Sequence, residues 1–570
     1  MLLHHYLSHY LKSAKGFVLG SFLSSPTQGL DDQMVLGTTT VTTKMASSLC
    51  SASSFSSLSL VGAEILNVIA TPVSENKTVI YNTIRTPTVQ IQLDYCNVTV
   101  SYTHPGYDDL INVETWLPGP EAWNERIWGT GGGGFRAGRD AQNNYGSTMP
   151  IALRDGYATT TTDAGVGEGE QTTLGDWGVV TPGNLDVVRY SSFAGRSLEE
   201  QALLGRQVVE AYYGRAQRFS YFAGCSQGGR QAMTLAQKYP TLYDGILASA
   251  PALSLNGIGP QLYWPYQFMV ESGKVSRNCE VQAITEAAVE ACDAFDGVED
   301  GIVADYERCA AEFDPFSVVG EPVDCVDGAR TVTEASAAVV NATWDGLRSP
   351  QGRRLWAPVT PGTDLVGNGT RPLMPGLDIV SSNCSSGTCV GFPYPLGSSF
   401  VKQFLARDTD LDLSKLTKAE FDRLVKFGML DLTQWQANIP DLTDFHRAGG
   451  KIITPHGTAD SLIPIGGTLE YYKQVGAVSP DVHDFYRVFE VPGLSHCYGG
   501  KAGVPVELME QLRSWVEDGT KPDSSTYEAL TKDGNVEDRL LCPYPQKATF
   551  DKECGDSAKA ACWACVGELA

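Results

Sequence analysis

The chain has 570 residues, 42% of them hydrophobic and 19% charged, which is enough for more than one domain and a sizeable core. Its 42 Lys and Arg stand against 66 Asp and Glu, a net charge of −24 that argues against nucleic acid and anionic membrane surfaces as partners. No stretch approaches the roughly 20 apolar residues that a membrane span needs.

Residues 1–44 read as a signal or disordered leader. Lys12 and Lys15 precede an apolar run at 16–23 that suits a short signal core and nothing longer. The compartment follows from two further features. Fourteen cysteines, an even number, point to an oxidising environment. Five N-glycosylation sequons, at Asn76, Asn97, Asn341, Asn368 and Asn383, point to the secretory route. The chain is therefore expected to be secreted and extracellular.

From Cys50 the chain turns strand-rich. Residues 89–95 and 97–102 alternate with period two, as half-buried antiparallel strands do, and Cys50 is expected to bridge to Cys96. Arg126-Ile127-Trp128 then runs into Gly129-Thr130-Gly131-Gly132-Gly133-Gly134. A phosphate-binding loop requires Lys-Ser/Thr after its glycines, and none follows. Residues 197–213 have helical spacing, with Leu198, Ala202, Leu203, Val208, Val209 and Tyr212 on one face.

Next comes the strand-like run 219–223, the turn Gly224-Cys225-Ser226-Gln227-Gly228-Gly229, and a helix-like run from Arg230 that Tyr239-Pro240 closes. Strand, G-x-S-x-G and helix together are the context of a nucleophile elbow, with Ser226 exposed at a sharp turn. The helix N-terminus behind it favours developing negative charge. The Gly129–Gly134 stretch is then an oxyanion loop, one of whose amides, at Gly132 or Gly133, joins that of Gln227.

After Ala252 regular strand patterns fade until about Asp431, and this part holds six of the fourteen cysteines. Inside it, Cys292 and Cys309 bound an acidic stretch, Asp293-Ala294-Phe295-Asp296-Gly297-Val298-Glu299-Asp300-Gly301-Ile302, and these two cysteines are expected to pair. Carboxylates in a tight Gly-containing loop suit a hard cation, but no Glu stands at the twelfth position as in an EF-hand. On its residues alone the stretch reads either as a metal loop or as a solvated acidic turn. Tyr263, Trp264, Tyr266 and Phe268 read equally as aromatic pocket lining or as core.

The strand-like runs 451–455 and 486–491 precede Asp460 and His496 respectively. Nucleophile, acid and histidine follow each other in that order in α/β-hydrolases. His4, His5, His9 and His104 precede Ser226, His446 and His456 precede Asp460, and His483 lies in a polar stretch, so His496 is the candidate base. Cys225 stands immediately before the serine and Cys497 immediately after the histidine. If Ser226 and His496 meet, these two cysteines come within disulfide range. In the tail, Cys542, Cys554, Cys562 and Cys565 allow three pairings.

Cys-Ser, then Asp, then His-Cys resembles the signature of the tannase/feruloyl esterase family of secreted serine esterases. Residues 131–135, 224–231, 239–245 and 250–252 support the resemblance, which runs from about Cys50 to Cys565. One departure is Val166-Gly167, where the family often carries a histidine. The resemblance implies an α/β-hydrolase catalytic domain in two parts, 45–252 and 432–570, separated by a lid domain at 253–431. It implies a structural calcium held by Asp293, Asp296 and Asp300 side chains and by the Val298 and Ile302 carbonyls, and it favours Cys542–Cys565, which leaves Cys554–Cys562. The expected activity is hydrolysis of small aromatic esters, free or attached to polysaccharide, by Ser226, His496 and Asp460. Feruloyl esters are the leading substrate class and gallate esters the alternative. A peptidase shares the triad, and a non-enzymatic hydrolase-fold binding protein is the rival from another class, although that reading usually goes with a missing triad member.

Overall fold

The computed structural model describes residues 49–81, 83–138, 149–167, 177–367, 378–385 and 387–568. The leader expected at 1–44 and the sequon at Asn368 lie outside these residues. The described chain is built on one nine-stranded sheet. Its strands are β1 (Glu64–Ile80), β2 (Thr88–Thr103), β3 (Ile111–Pro118), β4 (Arg126–Thr130), β5 (Ala158–Thr162), β6 (Phe219–Cys225), β7 (Gly245–Ser249), β8 (Lys451–Gly457) and β9 (Tyr486–Val491). Their spatial order is β1-β2-β3-β5-β4-β6-β7-β8-β9. The first three are antiparallel to one another, β3 is antiparallel to β5, and from β5 onward every pairing is parallel.

The sequence explains the division. β1 alternates exposed and half-buried positions because one face meets solvent, whereas β6 (FSYFAGC) is buried at nearly every position because helices cover both faces. On one face, α1 (Ser197–Tyr213) buries Leu204, Val208 and Val209 against Ile127, while α2 (Gln227–Lys238) packs Ala232 and Met233 near Phe222. On the other face, Trp128 and Tyr221 share a cluster with Leu508, Leu512 and Trp515, the last three being on a later helix, 508–518. This is the α/β-hydrolase arrangement, and it leaves the ends of β6, β8 and β9 along one edge of the sheet, with β7 between β6 and β8.

Between β7 and β8 the chain leaves the sheet and returns through α3 (Leu255–Ser272), α4 (Asn278–Cys292), α5 (Glu334–Asp345) and α6 (Lys418–Asp431), with short two-stranded ribbons between them. Their core is continuous with Phe135, Trp177, Tyr190 and Phe193, which follow β4 and β5. Tyr263, Trp264, Tyr266 and Phe268 lie on α3 and pack into this cluster, with the Tyr263 ring 5.3 Å from that of Phe421.

All fourteen cysteines are paired: Cys50–Cys96, Cys225–Cys497, Cys279–Cys325, Cys292–Cys309, Cys384–Cys389, Cys542–Cys565 and Cys554–Cys562. Asn76, Asn341 and Asn383 are exposed. Asn97 corrects the expectation for its sequon. It lies inside β2, its Nδ2 donates to Glu114 Oε1 at 2.9 Å, and its Oδ1 is buried, so the side chain is not offered to a glycan. Among the described residues no helix is long and apolar enough to cross a membrane.

Candidate active site

Ser226 sits where β6 turns into α2, at φ 63° and ψ −119°. A non-glycine residue takes such a conformation only when its surroundings enforce it. Here the Ser226 N–H donates to Ser249 O at the end of β7, and the Ser226 carbonyl accepts from Arg230 N–H and Ala252 N–H. The turn closes because its glycines let main chains touch. A Cβ at Gly224 would lie 2.7 Å from the Gly228 backbone, and one at Gly229 would lie 2.4 Å from Ser249 O.

The glycine loop after β4 docks on this elbow. Gly228 N–H donates to Gly132 O at 2.9 Å, and Gly132 N–H donates to Gln231 Oε1 at 2.8 Å. That second bond corrects one expectation. The Gly132 amide is already spent, so of the two glycines considered as oxyanion donors Gly133 is the one with its amide open. Among the described residues neither Gly133 N–H nor Gln227 N–H has a hydrogen-bond partner.

Asp460 lies in the loop after β8 and His496 in the loop after β9. His496 Nδ1 and Asp460 Oδ2 are 2.8 Å apart, and both residues are buried. The other carboxylate oxygen, Oδ1, accepts from the amides of Leu462 and Ile463 at 2.9 and 2.8 Å. Burial alone raises a carboxyl pKa, but the charge and hydrogen bonding of His496 and His456 more than reverse it and hold Asp460 well below the usual carboxylate range. His456 is a neighbour that chain order did not select. Its Nε2 lies 3.5 Å from Asp460 Oδ2 and 2.7 Å from Ile463 O, while Nδ1 meets Thr468 Oγ1 at 2.9 Å. Both ring nitrogens are thus engaged, which fixes the ring as a wall of the Asp460 site.

The Cys225–Cys497 bridge, with Cα atoms 6.0 Å apart, ties the elbow to the histidine loop. Cys497 Sγ rests 3.6 Å from His496 Nε2, a van der Waals contact against the imidazole. The structure therefore brings Asp460 and His496 together directly and chains them to Ser226 through the disulfide. Among the described residues no hydrogen bond joins Ser226 Oγ to His496. Gln231, which holds the glycine loop, and Arg230, which holds the Gln227 side chain at 2.7 Å, escaped the reading of the sequence as site residues. The signal available for them was two polar residues on a helix face that the α/β-hydrolase fold buries against its neighbours.

The acidic stretch of 293–302 folds back on itself. Asp293 Oδ1 accepts from the amides of Asp300 and Gly301, Asp296 Oδ1 from Val298, and Asp300 Oδ1 from Ile302. Burial, together with Asp300 and Asp293, pushes the Asp296 carboxyl up to about 6 despite the Val298 amide, and Asp300 is raised as well, chiefly by burial. An all-oxygen set of carboxylates, Asp293 and Asp300 buried and Asp296 half-buried, that repel one another is chemistry that a hard divalent cation relieves. As placed, Asp293 and Asp300 are instead approached by Lys532 Nζ (3.4 Å) and Arg539 Nη2 (3.0 Å). Among the described residues no three His, Cys, Asp or Glu are gathered tightly enough to hold an ion.

Comparison with known proteins places this geometry. The family model "Tannase and feruloyl esterase" matches residues 96–566. A probable feruloyl esterase of Arthroderma benhamiae is 35% identical over 483 residues, which is 82% of this chain and 86% of that protein. The tannase of Aspergillus oryzae is 27% identical over 510 residues, covering 80% and 83%. Among solved structures, tannin acyl hydrolase from Aspergillus niger superposes with a TM-score of 0.78 at 25% identity, over 92% of this chain and 96% of the other. The chain belongs to the tannase and feruloyl esterase family, whose members are carboxylic ester hydrolases.

Proposed function

We propose that the protein is a secreted serine esterase that cleaves phenolic acid esters, with hydroxycinnamate esters of plant cell-wall polysaccharide as its substrates. The observation that carries this reading is the His496–Asp460 pair chained to a strained Ser226 elbow by one disulfide. Ser226 Oγ adds to the ester carbonyl while its proton passes to His496 Nε2. The amides of Gln227 and Gly133 hold the resulting oxyanion. The carbonyl re-forms, the alcohol leaves with the proton from His496, and an acyl-enzyme remains. Water, deprotonated by the same imidazole, then releases the acid. Asp460 orients His496 and stabilises its charged form. The Ser226–His496 hydrogen bond, not made in the free enzyme, forms as substrate binds, since such contacts are commonly completed only in the Michaelis complex.

The segment 253–431 acts as the lid over this site. Asp293, Asp296 and Asp300, with the carbonyls of Val298 and Ile302, hold a calcium whose role is to brace the lid and not to take part in the chemistry. Asn76, Asn341, Asn368 and Asn383 carry glycans on a chain exported through its leader. Gallate esters are the second reading, favoured by the likeness to tannin acyl hydrolase. Rates on methyl ferulate, caffeate and p-coumarate set against methyl gallate and tannic acid decide between the two. Ser226→Ala is expected to abolish turnover and fluorophosphonate labelling with little change in thermal midpoint. Turnover near wild type in that variant removes Ser226 from the mechanism.

A further inference from the structure

Arg230 is completely buried one helical turn beyond Ser226, and every partner of its guanidinium is neutral. Nε donates to Gln227 Oε1 at 2.7 Å, Nη1 to the carbonyls of Ala194 and Trp435 at 3.1 Å each, and Nη2 to Phe193 O at 2.8 Å. The Phe193 ring lies beneath it, 5.2 Å from the guanidinium carbon. Among the described residues no carboxylate pairs with it. Burial pulls its pKa down to about 9, so it stays protonated at neutral pH.

A full charge taken out of water without a counter-charge is destabilising, and an apolar side chain of similar length would fill the same space more favourably. Such an arrangement is useful where negative charge appears nearby for part of a reaction cycle. That condition is met here. Arg230 N–H bonds Ser226 O, and its guanidinium grips the side chain of the residue whose main-chain N–H opens α2 toward the nucleophile. With Oε1 taken by Arg230, Gln227 Nε2 is left buried without a partner, a further local cost of keeping this clamp.

We propose that Arg230 is a positioning residue for ester cleavage: it locks Gln227 so that the Gln227 main-chain N–H stays aimed at the oxyanion, and its uncancelled charge adds to the helix N-terminus in stabilising the tetrahedral intermediate. The proposal rests on the assignment of Ser226 and Gln227 given above. Arg230 exchanges no proton and touches no reacting atom. The charge it answers forms when Ser226 Oγ adds to the carbonyl, and disappears when the carbonyl re-forms. In water-excluded surroundings, with only neutral hydrogen-bond partners and with Lys238, a like charge, in electrostatic range, that field is screened little.

The test uses full-length enzyme carrying Arg230→Met, Arg230→Lys or Gln227→Met, with kcat and KM on methyl ferulate and the affinity of phenylboronic acid. The boronate adds to a serine Oγ to give an anionic tetrahedral adduct. Arg230→Met is expected to lose roughly 10²–10³-fold in kcat, as for loss of an oxyanion donor, with KM within about threefold of wild type and boronate affinity reduced alongside kcat. Arg230→Lys keeps the charge but not the fork, and Gln227→Met keeps the charge and the amide but not the clamp. Both are expected to show smaller losses in the same two quantities. A merely structural arginine moves neither in enzyme that stays folded. Folded Arg230→Met with wild-type kcat and boronate affinity overturns the proposal. If Arg230→Met does not fold, wild-type values in both Arg230→Lys and Gln227→Met overturn it equally. Should the wild type itself fail to bind boronate or be labelled at Ser226, the nucleophile assignment is what has failed, and the role of Arg230 falls with it.

Discussion

Removing the Cys225–Cys497 bridge should reduce activity by more than its effect on stability accounts for. The bridge spans 272 residues, and the loop-entropy relation then gives about 5.6 kcal/mol of stabilisation at 25 °C. The Cys279–Cys325 and Cys384–Cys389 bridges lie inside that loop and shorten it by the 46 and 5 residues they span, which lowers the figure by only about 0.2 kcal/mol. For a folded body of about 520 residues the unfolding entropy is about 1.1 kcal/mol/K, so the thermal midpoint of Cys225→Ala/Cys497→Ala should drop by about 5 °C. The catalytic effect has a different origin. Ser226 and Cys497 both occupy left-handed backbone conformations, φ 63° and 58°, and the bridge joins one to the residue preceding the other. It also seats Cys497 Sγ against His496 Nε2 at 3.6 Å. Without it, both turns are free to relax strain of order 1–3 kcal/mol each, and the imidazole loses its stop. A drift of about 1 Å between base and nucleophile costs on the order of 10²-fold in rate. Methyl ferulate hydrolysis is therefore measured well below the midpoint of the double variant, with circular dichroism recorded on the same sample. A kcat within about threefold of wild type would refute the reasoning, and non-reducing peptide mapping that pairs Cys225 elsewhere would remove its premise.

Asp460→Asn should lower kcat by about 10⁴-fold, because the amide favours the wrong imidazole tautomer, and a loss of only a few-fold would move the acid role to another residue. The same variant tests the ionisation of Asp460. Its folded pKa is depressed, so its contribution to stability is present above the unfolded value near 3.9 and is lost as pH falls toward the folded value. Over that acid window the wild type should lose about 1.4 kcal/mol per pH unit more than Asp460→Asn, read from urea midpoints, and parallel profiles would contradict the depressed pKa. Chelation should remove about 2.7 kcal/mol of stability for an ion present at a hundred times its Kd, lowering the thermal midpoint while changing kcat little in enzyme that stays folded, and Asp296→Ala should match the chelated midpoint and ignore added calcium. Wild-type enzyme without bound metal by elemental analysis would leave 293–302 as an acidic turn. Gly229→Ala should fail to accumulate as folded enzyme, since its Cβ would meet Ser249 O at 2.4 Å and Pro251 Cα at 2.8 Å. Normal yield and midpoint would show that the elbow can widen.

What was legible in the sequence differs from what was not in a physical way. The elbow could be read because its chemistry demands particular residues in consecutive positions, and the order Ser226, Asp460, His496 follows from which strand ends carry them. The helix at 197–213 was legible for a similar reason, since its buried face repeats at 3.6 residues. Other features depend on atoms that meet only after folding. Whether Gly132 or Gly133 keeps a free amide is decided by Gln231 Oε1, 99 residues further on. Asn97 looks like any sequon until Glu114 arrives from β3 to take its amide. Lys532 and Arg539, which face the acidic carboxylates, come from the far end of the chain. Arg230 is the clearest case. In one dimension it is a polar residue on a helix and belongs on the surface. It becomes a buried cation because Phe193, Ala194 and Trp435 close over it with carbonyls instead of carboxylates. A motif therefore identifies the atoms that must react. The field acting on those atoms is set by residues whose type is ordinary and whose neighbours come from elsewhere in the chain.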